Sequence, residues 1–111
     1  MQRKFRLAHP AQVERVRREG LSYAHPLVVL FALDSEFPLP RFAVAAGVRV
    51  GSAVVRNRLK RRLREALRPL APEVAGGHDL VFIARAPLRE AVQGEANAAV
   101  RQLLQRAGML E

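Results

Sequence analysis

Apolar residues in this chain fall into short β-branched runs separated by stretches of helical character. Pro10–Glu19 reads as a first helix, with Pro10 suited to the first turn and Gly20 to the residue just past the end. Leu27–Leu33 is a continuous apolar run, the mark of a buried strand, and Ser22–Ala24 is a short strand before it. Asp34–Pro40 is a turn whose two prolines cannot donate to a ladder. Arg41–Ala46 is the next strand, and with Leu27–Leu33 and the short connection it is expected to form a hairpin. Ser52 is placed to cap a helix running to about Arg68, which Pro69 and Pro72 stop. Asp79–Ala84 is a strand that Pro87 ends. Ala96, Ala99, Val100, Leu103, Leu104 and Ala107 recur at helical spacing, so a last helix covers about Gln93 to Ala107.

The order helix, strands, helix, strand, helix describes an α+β fold, one mixed sheet of about four strands with three helices packed on it. No segment repeats, and the 111 residues suit a single domain. The helix between the last two strands implies a crossover, which between parallel strands is right-handed in about 98% of cases.

Half the residues are hydrophobic but only 5% are aromatic, so Leu, Val and Ala must fill the core. Cysteine is absent, which excludes a disulfide scaffold, a thiolate metal site and a cysteine nucleophile. No apolar run approaches the ~20 residues that span a bilayer. Met1–Arg6 is basic and leads into no signal-peptide stretch, so a soluble cytoplasmic protein is expected, with no membrane partner.

Charge changes the picture most. Nineteen Lys and Arg face ten Asp and Glu, giving +9 and a pI near 11.6. The surplus sits in two segments: residues 1–20 carry six cations against two anions, and residues 49–68 carry eight against one. Such asymmetry marks a polyanion binder, above all a nucleic-acid binder.

On a helical wheel, Val55, Leu59, Leu63, Ala66 and Leu67 form one stripe of the second helix. Asn57, Lys60, Arg61, Arg64 and Arg68 lie opposite. Arg58 and Arg62 flank that face near Glu65, and Arg56 lies on the border of the apolar stripe. Like charges at i,i+4, as at Lys60/Arg64 and Arg64/Arg68, each cost about 0.2–0.5 kcal/mol unless an anion relieves them. The apolar stripe is needed for the core, so the outer face is free to meet phosphates.

The chain carries no self-contained active site that spacing reveals. Asp34 and Glu36 share a proline-rich turn and Asp79 stands apart, a poor set for holding Mg²⁺. His9, His25 and His78 fall in three separate places. Gly47–Gly51 has no Lys-Ser or Lys-Thr after it and is not a P-loop.

At Val55–Arg61 the chain resembles the Arg-Asn-Arg helix of the bacterial ribonuclease P protein component. The elements around it fall in that family's order, and the resemblance covers about residues 4–107. It implies an accessory subunit of a ribozyme that removes the 5′ leader of precursor tRNA, with Mg²⁺ on the RNA subunit rather than on a protein carboxylate cluster. The implied partners are the ribonuclease P RNA and leader-bearing precursor tRNA, with no obligate protein partner. The implied fold is an α–β sandwich whose β-α-β crossover is left-handed, against the general rule. Carried over by position, Arg56, Asn57, Arg58, Lys60, Arg61 and Arg64 would meet the catalytic RNA, with Arg68 extending the face. A cleft between the first helix and the sheet would hold the single-stranded leader, with Phe31 either stacking a base there or packing as core.

Two departures from the family pattern stand out. Where the first helix of the family presents two phenylalanines to the cleft, this chain has Val13 and Arg17. Arg17 is left to stack on a base or pair with phosphate. The basic pair before the second helix reads Val48-Arg49, so only Arg49 keeps its charge. Arg3, Lys4 and Arg6 are expected to form a flexible basic arm over residues 1–8. Competing expectations are a general RNA-binding or ribosome-associated protein without a role in cleavage, a duplex-DNA binder, and a self-sufficient nuclease.

Overall fold

The computed structural model describes residues 2–111. Its elements are α1 (Pro10–Glu19), β1 (Leu21–Ala24), β2 (Val28–Asp34), β3 (Arg41–Ala46), α2 (Ala53–Leu67), β4 (His78–Ala84) and α3 (Gln93–Arg106). Single turns of 3-10 helix at Arg3–Phe5, Val48–Val50, Ala71–Glu73 and Ala86–Glu90 lie between them.

Local chemistry sets the helix ends. His9 Nδ1 accepts the Ala11 N–H at 3.2 Å before Pro10 opens α1. Ser52 Oγ accepts the Val55 N–H at 3.3 Å and caps α2 as its side chain suggested. Glu95 reaches back to the Val92 N–H at 3.0 Å at the start of α3.

Gly20 ends α1 for a different reason from the one its position suggested. Its φ is −76°, open to any residue. Space is what requires glycine: a Cβ would lie 2.6 Å from Val16 O and 2.7 Å from Ala32 O. Gly20→Ala must therefore push α1 off β2, and a loss of about 1–3 kcal/mol is expected in urea unfolding. An unchanged midpoint would show that α1 shifts freely.

The sheet order is β1-β2-β4-β3. β1 and β2 pair antiparallel, as do β2 and β4, while β3 and β4 run parallel and are joined through α2. The expected β2–β3 hairpin is therefore not formed, because β4 lies between the two strands. Leu80, Val81 and Phe82 of β4 are fully buried, on both faces of the sheet. Only an interior position covers both faces and pairs both edges of such a strand. The six-residue connection Ser35–Pro40 is long enough to cross two strand spacings of about 4.8 Å.

Alternation along β2 divides the core in two. Val28, Leu30 and Ala32 face the larger cluster with Phe42, Leu59, Leu63, Phe82, Leu103 and Leu104, under α2 and α3. On the other face Val16, Leu7 and Val81 form a smaller cluster, with Val13, Phe31, Leu33, Ala43 and Ile83 packed around them. The result is a sandwich with α1 on one face and α2 and α3 on the other.

The N-terminal segment corrects the expectation of a flexible arm. Phe5 and Leu7 are buried, with the Phe5 ring 6.3 Å from that of Phe42. The Leu7 N–H donates to Phe42 O at 2.8 Å, and Arg6 bridges Phe42 in parallel. Residues 5–7 are thus tied to the outer edge of β3, and Arg3, Lys4 and Arg6 project from an anchored segment. Met1 lies outside the described residues.

Candidate nucleic-acid interface

The basic helix α2 is laid on the sheet by Leu59, Leu63, Ala66 and Leu67, all buried. Asn57, Arg58, Arg61, Arg64 and Arg68 are exposed, and Lys60 and Arg56 half-buried. Arg56 Nε is shut away from solvent with no acceptor among the described residues. Glu65, the single carboxylate of the helix, accepts from Arg68 Nη2 at 2.6 Å, which relieves part of the repulsion at Arg64/Arg68.

Arg62 turns inward. Its Nη1 donates to Ala91 O at 2.6 Å and Leu88 O at 3.4 Å, while Gln93 Nε2 donates to Arg62 O at 3.0 Å. Its charge satisfies the segment leading into α3 and is not offered to a ligand. Arg89, which sequence reasoning passed over, donates to Val50 O at 3.0 Å and pins the turn that presents exposed Arg49.

A groove of about 340 Å³ opens between α1 and the outer edge of β3. Arg6, Leu7 and Ala8 form one side of it, Pro10, Val13, Glu14 and Arg17 another, and Phe42–Ala45 the floor; Arg64 reaches in from α2. The structure thus joins the anchored N-terminal segment, the departures on α1 and the basic helix at one place. Arg64 belongs both to the α2 face and to the groove. Glu14 is the only carboxylate lining it among the described residues, and its Oε2 lies 3.3 Å from Arg17 Nη1. That exposed i,i+3 pair stabilises the helix by about 0.2–0.5 kcal/mol at most.

Phe31 is half-buried in the small core beneath α1 and is not among the groove-lining residues, so its packing role is the one the structure displays.

A larger depression, about 520 Å³, lies on the other flank of α1. Asp34, Glu36 and Asp79 line it with Arg15, Arg41 and Phe37. Its size does not make it the better polyanion site, since its carboxylates repel phosphate. Moreover, Arg41 is engaged by Asp79 through two 2.8 Å hydrogen bonds and lies over the Phe37 ring at 4.7 Å.

The histidines serve locally. His9 caps α1, His25 Nδ1 accepts the Leu27 N–H at 3.0 Å, and His78 lies 3.1 Å from Gly76 O and 3.5 Å from Asp34. Among the described residues no three His, Asp or Glu side chains converge to hold a metal. Among them, too, no helix is long and apolar enough to cross a membrane.

Residues 1–108 match the family model described as Ribonuclease P. The chain belongs to the ribonuclease P protein family. The ribonuclease P protein component of Roseiflexus castenholzii is 44% identical over 112 residues, covering all of this chain and 92% of that protein. That of Bacillus cereus strain B4264 is 36% identical, covering 98% and 96%. Among solved structures, the Thermotoga maritima ribonuclease P protein in complex with 1-(4-fluorophenyl)-2-thiourea aligns at a TM-score of 0.81 and 26% identity, over 91% of this chain and 98% of that one. The Staphylococcus aureus ribonuclease P protein shares the fold, at a TM-score of 0.85 and 23% identity over 96% and 98%. As a member of the family, the chain is a protein component of ribonuclease P, the tRNA-processing endoribonuclease complex. Its three helices and four-stranded mixed sheet are the α+β fold of those structures.

Proposed function

We propose that the chain docks the exposed face of α2 on the ribonuclease P RNA and holds the single-stranded 5′ leader of precursor tRNA in the groove between α1 and β3. The observation that carries this reading is the meeting of Arg6, Arg17 and Arg64 in one groove that opens beside the donor-rich face of α2. A floor that includes Ala43 and Ala45 lets a polynucleotide approach the sheet closely, and cationic grooves that track one strand suit single-stranded RNA. Arg56, Asn57, Arg58, Lys60, Arg61 and Arg68, with Arg49 at the helix entrance, are assigned to the catalytic RNA. Arg3 and Lys4 extend the basic surface beyond Arg6.

In this reading the protein supplies no reacting group. Its cations lower the repulsion where RNA subunit and substrate crowd their phosphates together. Mg²⁺ would be held by the RNA subunit and would supply the hydrolytic chemistry there. Neutralising about six phosphates gives a fall in log K with log salt of about 0.7–0.9 per contact.

The test is leader cleavage of a precursor tRNA at low Mg²⁺ with the RNA subunit from the same source, with and without the protein. Strong stimulation is expected, with no cleavage by protein alone. Folded protein that binds RNA but gives no stimulation would favour a general RNA-binding role. Cleavage by protein alone would place the chemistry on the chain.

A further inference from the structure

We propose that Glu14 decides what Arg17 offers to RNA: a flat face for a nucleobase rather than a hydrogen-bonding fork for a phosphate. The inference rests on the leader-groove reading above and goes further, assigning the orientation of the strand within the groove.

Arg17 lines the groove from α1, one turn beyond Val13 on the same wall. A guanidinium has two ways to meet RNA. Its N–H edges bind phosphate oxygens, and its planar faces stack on bases. Glu14, three residues earlier, has already taken one N–H edge at 3.3 Å. A phosphate approaching that edge would have to displace the carboxylate already paired there, and although the pair is exposed, that competition makes the edge the poorer of the two surfaces for an anion. The faces of the guanidinium carry no such obstacle. A base can lie against Arg17 with the apolar Val13 beside it, so the pair does the work of an aromatic ring.

The opposite cations differ. Arg6 and Arg64 line the same groove and form no ion pair among the described residues. Their N–H groups remain available to phosphate oxygens. The groove is therefore sided, with bases turned toward α1 and the sugar-phosphate chain toward Arg6 and Arg64. Glu14, as its only carboxylate among the described residues, sets that sidedness without touching a reacting atom.

The experiment uses holoenzyme assembled with its RNA subunit and measures binding of precursor tRNAs whose leaders are intact or carry an abasic site at successive positions. With the wild-type protein, one leader position is expected to show an abasic penalty of about tenfold, the size of one base-stacking contact. In Glu14→Gln and Glu14→Ala that penalty should shrink to about twofold. The salt dependence of log K should steepen by about 0.7, since Arg17 is freed to bind one more phosphate. Both variants change an exposed ion pair, so their thermal midpoints should stay at the wild-type value. An unchanged abasic penalty and salt slope in both variants would overturn the assignment, as would a wild-type protein with no abasic penalty anywhere in the leader. Arg17→Ala and Arg64→Ala separate this from the underlying reading. If neither weakens binding of leader-bearing precursor, the leader does not lie in the groove at all.

Discussion

Replacing Arg56, Arg58, Lys60 and Arg61 together with alanine is expected to abolish stimulation of leader cleavage while leaving the protein folded. Among the α2 cations only Arg62 and Arg68 donate side-chain hydrogen bonds within the described residues, so replacing the other four breaks no hydrogen bond of the fold. Alanine is the better helix former, and the substitution removes like-charge neighbours and the orphaned Arg56 Nε. The thermal midpoint should therefore stay level or rise. Binding of the RNA subunit should lose about four phosphate contacts, and the slope of log K against log salt should fall by about three. Improved stability with lost function is the signature of a surface built for a ligand. A folded quadruple variant that stimulates cleavage fully would remove α2 from the interface.

The second large effect is structural. Asp79→Ala leaves Arg41 without its carboxylate at the start of β3, where the two side chains are largely buried. Breaking such a pair costs about 3 kcal/mol, equivalent to a fall of roughly 10–15 °C in Tm for a chain of this size. Replacing both partners with apolar residues, Arg41→Met with Asp79→Leu, should recover most of the loss, because no uncompensated charge remains. Calorimetry of the single and double variants checks this. A single variant melting with the wild type would mean that the pair is solvated in solution.

The helices were legible in the chain because their determinants are local. Pro10, Ser52 and the Pro69 stop act within a turn of the residues they govern, so the bounds of α1 and α2 follow from them. Strand order is not local. Whether β3 pairs with β2 or with β4 depends on which strand needs cover on both faces, and the apolar run Leu80–Phe82 carried that message without being weighed against the short connection. Gly20 is legible as the residue that follows α1, whereas its task, to let α1 and β2 touch, depends on the packing of the two elements.

The interface divides in the same way. The donor face of α2 is visible from its period, but the wheel sets Arg62 beside that face, whereas the structure turns it onto the Leu88 and Ala91 carbonyls, where it serves the fold. The convergence of Arg6, Arg17 and Arg64 was hidden, since it requires Phe5 and Leu7 to bind the N-terminal segment to β3. Two buried apolar residues among cations were the available signal. Glu14 reads as an ordinary helix carboxylate in the sequence, and only the fold sets it at the rim of the groove.

The interior position of β4 has a consequence for the order of events during synthesis. β2 and β3 leave the ribosome well before the strand that must separate them. Until residues 78–84 emerge, their facing edges have no lasting partner, and direct pairing between them is a wrong product that must be undone. Folding therefore waits on a late, long-range closure, the kind of step that slows a small domain and exposes its intermediates. Throughout that wait the cationic stretch of α2 is already outside and able to attract RNA, so the nascent chain meets polyanions before it has a sheet to rest on.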